Sequence, residues 1–223
     1  MFETEKALLR KLCQKSNSAR EAALCDELER RGIRFENREH MAVVVPSSSK
    51  KPVLISAHFD SVEGSFGYND NGMGVMTVLE LIGQLPDNVE IVFTNHEEKG
   101  ALGAQYYLQQ VNKEIAGCVN VDVVGAFDQI YIDPMNCHAA AKVFANCKQG
   151  TMPFSDACIF AGHNIPSVCF SCGPGESDFR HGITAIFSTI HNNHNDNNFD
   201  LLNFEMISQV QTEVKNAVNL LAA

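Results

Sequence analysis

The stretch PVLISAHFD, residues 52–60, decides how this chain folds. Residues 52–57 have the length and the apolar character of a buried β-strand. His58 and Asp60 follow at the point where that strand ends. Because ligands of open α/β sheets bind beyond the carboxyl ends of the strands, the stretch predicts a buried sheet with a site at one edge.

Three later stretches repeat this arrangement, in which a strand stops at a residue able to bind metal or move a proton. The predicted strands and the residues that follow them are 89–94 with Glu97 and Glu98, 116–121 with Asp122, and 183–190 with His191. Each alone has an ordinary explanation, since acidic residues such as Glu97 and Glu98 are common where a helix begins. Together they place His, Glu, Asp and His at neighbouring strand ends, which a random polar loop would rarely supply.

The rest of the pattern alternates helices with strands. Helices are predicted at 4–15, 18–31 with Ser18 as the N-cap, 72–85, 101–111, 138–147 and 204–222, and further strands at 41–45, 130–132 and 166–171. This alternation predicts a single α/β domain, residues 1–223, in three layers. Its central sheet is expected to be mixed, largely parallel and flanked by helices.

Composition and charge exclude several classes of partner. The chain has 223 residues and a formal net charge of -10, which argues against nucleic acid and anionic membranes because both would repel it. No run is long enough to span a bilayer and the N-terminus does not resemble a secretory signal, so a cytoplasmic location is expected. The eight cysteines are then expected to be reduced thiols, including the closely spaced Cys169 and Cys172.

Five motifs resemble, in the same order, those of the zinc aminopeptidase family that includes bacterial leucyl aminopeptidase, glutamate carboxypeptidase and glutaminyl cyclase. They are HFDSV at 58–62, GYNDNG at 67–72, EEKGALGA at 97–104, VNVDVVG at 119–125 and the loop at 190–191, with a further similarity at 155–166. The resemblance runs from about residue 50 to the last residue. It implies a zinc exopeptidase-like fold.

The resemblance also implies a role for seven residues. His58 and Asp122 resemble ligands of a first zinc ion, and Asp70 resembles a ligand that bridges both ions. Glu98 and His191 resemble ligands of a second zinc ion. Asp60 resembles the carboxylate that orients His58, and Glu97 resembles the general base. Three carboxylates and a bridging hydroxide balance the charge of two zinc ions, which makes a buried centre feasible. Ligands of this kind also accept Co²⁺ or Mn²⁺.

The implied function is hydrolysis of an amide bond by a metal-bridging hydroxide with Glu97 as general base. An aminopeptidase that releases N-terminal residues from small peptide or aminoacyl substrates is the favoured interpretation, without nucleic acid or membrane partners. A carboxypeptidase or N-deacylase would use the same metal centre. A glutaminyl-cyclase-like acyltransferase and a catalytically silent binding protein are further alternatives. The sequence does not favour any oligomeric state.

The sequence leaves two histidines, His191 and His194, as candidates for the last metal ligand. His191 directly follows a predicted strand, whereas His194 would lie deeper in the polar run HNNHNDNN at 191–198. Members of the family usually carry Asp four residues after this histidine, but Asn195 takes that place after His191 and Asp196 comes one residue later. The strand end favours His191, because fixing a residue within the loop would cost about 1–2 kcal/mol of backbone entropy for each ordered residue.

Replacement of each histidine separates these two possibilities. His191→Ala is expected to empty the second metal site and abolish activity, whereas His194→Ala should keep the metal and change the rate only modestly. Metal content and rate of both variants, measured in the same metal buffer, check this expectation. Loss of the second metal in His194→Ala alone would show that the loop supplies the ligand.

Overall fold

The computed structural model describes residues 2–144, 147–152, 154–175 and 196–223, and these residues form a mixed β-sheet between layers of helices. The strands are β1 (Glu36–Arg38), β2 (Ala42–Val45), β3 (Val53–His58), β4 (Val89–Thr94), β5 (Gly117–Val121), β6 (Gln129–Asp133), β7 (Lys148–Gln149) and β8 (Ser167–Gly173). The helices are α1 (Glu3–Leu12), α2 (Asn17–Arg30), α3 (Met73–Leu81), α4 (Leu102–Gln110), α5 (Ala140–Val143), α6 (Asp156–Gly162) and α7 (Met206–Leu221).

The order of the strands places several carboxyl ends at one edge of the sheet. Within the described residues the sheet has eight strands in the order β1-β2-β4-β3-β5-β8-β6-β7. The central strands β4, β3, β5 and β8 run parallel to one another, while β2 on one side and β6 on the other pair antiparallel to them. The predicted α/β class with a mixed, largely parallel sheet is therefore confirmed.

The central strands are buried on both faces, because successive side chains point into two different cores. All six residues of β3 are buried. Ile55 belongs to the larger core, with Leu24 of α2 and Met76 of α3. Its neighbour Leu54 belongs to a smaller core on the opposite face, with Tyr107 of α4. A strand covered in this way reads as a continuous apolar run, which is why residues 52–57 predict it so clearly.

Several boundaries differ from those that the sequence predicts. Helix α2 begins at Asn17, because the side chain of Ser16, not Ser18, accepts a hydrogen bond from the Ala19 amide at 3.3 Å. Helix α3 ends at Leu81 and not at 85, since the next residue leaves the helical region with ψ of 130°. Of the helix predicted at 138–147, the described residues form only α5.

Three short elements have no counterpart in the sequence pattern, namely β1, β7 and α6. They are only 3, 2 and 7 residues long, too short for a periodic pattern to stand out. The strand predicted at 183–190 lies outside the described residues. Among the described helices, none is both long and apolar enough to cross a membrane.

Two helical glycines provide a matched test of the packing between α4 and the sheet. A Cβ added at Gly103 would lie 2.4 Å from the Asn95 carbonyl oxygen and 2.6 Å from that of Met41, both of which are backbone atoms. Gly103→Ala is therefore expected to lower the free energy of unfolding by about 1–3 kcal/mol.

Gly162→Ala is the control, since, apart from the adjacent residues and the backbone of its own helix, no atom of the described residues lies within 4 Å of an added Cβ there. This variant should change the free energy of unfolding by less than about 1 kcal/mol, in either direction. Urea unfolding of both variants measures the difference. Equal effects would contradict the packing described for Gly103.

Candidate metal centre

Three side chains that can bind a metal ion meet at the carboxyl edge of the sheet. His58 is the last residue of β3, Asp122 directly follows β5, and Asp70 lies on the turn that precedes α3. The His58 Nε2 atom is 3.0 Å from Asp70 Oδ1 and 3.3 Å from Asp122 Oδ1. All three side chains are buried, and their ligand atoms lie within 4.8 Å of one another.

The turn Tyr68–Gly72 carries Asp70 into this position, and glycine at its start makes the path possible. Gly67 has the left-handed φ of 56°, and a Cβ there would lie 2.5 Å from the Asp70 carbonyl oxygen. The backbone is non-helical at Asp70 itself, with φ of -111° and ψ of 87°. The chain therefore turns sharply at the residue whose carboxylate faces His58.

Asn69 and Asn71, on either side of Asp70, hold this turn against the end of β5. Asn71 Nδ2 donates to the Val121 carbonyl oxygen at 2.8 Å. The Oδ1 atom of Asn69 accepts hydrogen bonds from the amides of Gly125 at 2.5 Å and Ala126 at 2.8 Å. These hydrogen bonds attach the turn, and Asp70 with it, to the end of β5 and the segment that begins with Asp122.

Asp60 links His58 to the segment that carries the two glutamates. Its Oδ1 atom is 3.4 Å from His58 Nδ1 and accepts a hydrogen bond from the Glu97 amide at 3.0 Å. Its Oδ2 atom accepts one from the Glu98 amide at 3.3 Å. His58 Nδ1 also lies 3.2 Å from the Asp60 carbonyl oxygen, so the backbone and the carboxylate of Asp60 together fix the ring on the side away from Asp70 and Asp122.

Glu97 and Glu98 lie in the short 3₁₀ helix Glu97–Lys99, directly after β4. Glu97 is buried and Glu98 is half-buried. Glu98 does not belong to the group formed by His58, Asp70 and Asp122. A second group with Asp70 and Glu98 would need His191, and that residue, like His194, lies outside the described residues.

The electrostatics of the group suit a divalent cation. Burial disfavours a charged His58, but the carboxylate of Asp122, with Asp60 and Asp70, raises the pKa of this imidazole well above its usual range. Burial, together with the negative charges of Asp122, Asp156 and Asp70, raises the pKa of Glu97 to about 9, although a charged His58 acts in the opposite direction. Oxygen and nitrogen donors surrounded by an excess of buried negative charge fit Zn²⁺ and related ions.

Asp156 is a buried residue near the site that the strand-end pattern does not identify. It is the first residue of α6, and Thr94 at the end of β4 donates a hydrogen bond to its Oδ2 atom. Burial raises the pKa of Asp156 to about 7. Its only signal in the sequence is the similarity at 155–166, which assigns it no role.

Arg20 of α2 supports the same edge of the sheet from outside the motifs. Its guanidinium is buried and donates to the carbonyl oxygens of Phe59 and Phe66. Phe59 lies between His58 and Asp60, so Arg20 fixes the backbone of the segment that carries both. No sequence motif marks Arg20, which shares the buried face of α2 with two other charged residues, Glu21 and Glu27.

The sequence of this chain is similar to those of known proteins. The sequence model of Peptidase family M28 matches residues 40–206. A probable leucine aminopeptidase of Arthroderma otae is 30% identical over 139 residues, which cover 51% of this chain and 39% of that protein. A vacuolar membrane protease of Candida glabrata is 29% identical over 141 residues, which cover 60% of this chain and 15% of that protein. The chain thus spans less than half the length of these two relatives.

Solved structures share the fold. A zinc aminopeptidase of Bacillus subtilis superposes with a TM-score of 0.63 at 22% identity, over 79% of this chain and 49% of that one. The LapA aminopeptidase of Legionella pneumophila gives a TM-score of 0.73 at 18% identity, over 100% and 70%. A glutaminyl cyclase of Bacteroides thetaiotaomicron, bound to N-acetylhistamine, gives 0.74 at 18% identity, over 96% and 94%. This likeness concerns the fold and confirms the expected zinc exopeptidase-like architecture.

Proposed function

Because this chain belongs to Peptidase family M28, we propose that it is a zinc-dependent aminopeptidase that releases N-terminal residues from small peptides. The observation that carries the proposal is the buried group formed by His58, Asp70 and Asp122 at the carboxyl ends of parallel strands. The similarity to a probable leucine aminopeptidase supports the choice of substrate. This family is consistent with the zinc aminopeptidase family that the five motifs resemble.

We assign two zinc ions to the site. His58 and Asp122 would hold the first ion, Asp70 would contact both, and Glu98 and His191 would hold the second. A bound zinc ion supplies Lewis acidity toward the substrate carbonyl and lowers the pKa of a water molecule to about 7. Co²⁺ or Mn²⁺ would fit the same donors.

Glu97 is proposed as the general base. Its side chain is buried beside the metal-binding group, and the hydrogen bond from its amide to Asp60 fixes its position at the end of β4. The positive charge of bound zinc ions would lower the pKa of Glu97 and keep it ionised. In this role the Glu97 carboxylate accepts a proton from the attacking water and then donates it to the amine that leaves the substrate. Asp60 meanwhile orients His58 through the Nδ1 side of the ring.

A panel of substrates tests this proposal against its alternatives. The zinc-loaded protein is expected to cleave aminoacyl p-nitroanilides and dipeptides with a free α-amine. Cleavage of N-acylated amino acids alone would indicate a deacylase, and cleavage of C-terminal residues alone a carboxypeptidase. Cyclisation of N-terminal glutamine without hydrolysis would indicate an acyltransferase, and binding without turnover a catalytically silent protein.

The compartment in which this activity would operate stays a prediction. The acidic composition is the basis for expecting no nucleic acid or membrane partner, and the cytoplasm is the expected location. Several relatives, including the one from Candida glabrata, are named vacuolar membrane proteases, which does not support a cytoplasmic assignment.

Substitution of two neighbouring glutamates, one at a time, distinguishes a role in catalysis from a role in metal binding. Glu97→Gln is expected to keep both metal ions and the fold but to lower kcat about 10²–10⁴-fold, because general-base catalysis is removed. Glu98→Gln should instead lower the metal content. Elemental analysis and steady-state kinetics on the two variants measure both effects.

The surface variant Glu114→Gln is the control for both, since this side chain is exposed and pairs with Lys51 before the amino ends of β3 and β5, at the opposite end of the strands from the metal-binding group. It should keep the metal content and the rate of the unmodified protein. If Glu97→Gln loses metal while Glu98→Gln keeps metal but loses turnover, the two assignments are reversed.

A further inference from the structure

The chain segment that begins at Asp196 lies directly against the turn that carries Asp70. Asp196 is only 4% exposed, although it follows the polar run at 191–195. Four backbone amides of residues 66–70 donate hydrogen bonds to Asp196 and Asn197. We call residues 196–199 the latch.

The carboxylate of Asp196 accepts the two amides nearest to the metal-binding group. Its Oδ1 atom accepts from the Asn69 amide at 2.7 Å and its Oδ2 atom from the Asp70 amide at 3.0 Å. The shape of the backbone at Asp70 is therefore held by an ionisable side chain that is distant in sequence. An amide side chain could satisfy only one of these donors, because its nitrogen would face the other N–H group.

Two further hydrogen bonds and an aromatic contact extend the latch along the same turn. The Tyr68 amide donates to the Asp196 carbonyl oxygen at 3.2 Å, and the Phe66 amide donates to Asn197 Oδ1 at 2.5 Å. Phe199 packs edge-on against Tyr68, with ring centroids 4.3 Å apart. The turn and the latch thus form one packed unit.

We propose that Asp196 is a positioning residue that sets the metal affinity of the site. It holds the Asn69 and Asp70 amides, which keeps the Asp70 carboxylate facing His58 and Asp122. Asp70 is the residue assigned to contact both metal ions, so a change in its position would weaken both. This inference rests on the proposed function, because it presumes that the group formed by His58, Asp70 and Asp122 binds zinc.

Asp133 provides a matched control elsewhere in the fold. It is 6% exposed, and its two carboxylate oxygens also accept two backbone amides, those of Met135 at 2.8 Å and Met152 at 2.7 Å. Neither of these amides belongs to a segment that carries a proposed metal ligand. Asp133→Asn therefore removes the same kind of hydrogen bond by the same substitution.

The experiment measures the zinc affinity of the full chain by competition with a chromogenic chelator, without any use of activity. Asp196→Asn is expected to raise the dissociation constant for zinc about 10–100-fold, and Asp133→Asn by less than about threefold. Hydrogen exchange at residues 66–70 of the zinc-loaded protein should become faster in Asp196→Asn only. Equal dissociation constants in the two variants would overturn the proposal and leave Asp196 a purely structural residue.

A second variant keeps the test decisive if Asp196→Asn does not fold. Asn197→Ala removes the acceptor of the Phe66 amide and leaves the carboxylate in place, so it should raise the dissociation constant about 2–10-fold. An unchanged constant would contradict the latch. If the unmodified chain binds no zinc, the proposed function fails together with this inference, whereas zinc binding that is insensitive to Asp196→Asn and Asn197→Ala overturns the inference alone.

Discussion

Two buried carboxylates, those of Asp70 and Asp122, lie close enough to repel each other, and the surrounding structure depends on holding them there. Both face His58 Nε2 within 3.3 Å, at an edge of the sheet that excludes most water. Burial of like charges is costly unless they are paired with a cation. The hydrogen bonds made by Asn69 and Asn71 supply the restraint, and a divalent metal ion would supply the missing positive charge.

The strand ends are the part of the site that the sequence predicts best. A continuous apolar run such as residues 52–57 indicates a strand buried on both faces, and parallel neighbours then deliver the residues after them to the same edge. His58 and Asp122 are therefore placed by local patterns together with one rule of topology. Asp70 follows no strand, and its expected position depends on the resemblance of GYNDNG to a family motif.

The supporting contacts could not be predicted, because each joins residues that are far apart in sequence. Asn71 reaches Val121, and Asp196 reaches Asn69 across more than one hundred residues. Single polar side chains of this kind leave no periodic signal, and in the sequence they resemble ordinary loop residues. The misplaced N-cap of α2 has a local cause, since Ser16 and Ser18 are equally suitable and only the backbone at Ser16 is extended.

The most direct test of the account is anomalous diffraction at the zinc absorption edge from crystals of the zinc-loaded chain. We expect a peak about 2.0–2.2 Å from His58 Nε2 and from a carboxylate oxygen of both Asp70 and Asp122. A second peak that also contacts Asp70, on the side of Glu98, would complete the proposed pair. Zinc bound only elsewhere on the protein, or no peak between these three side chains, would contradict it.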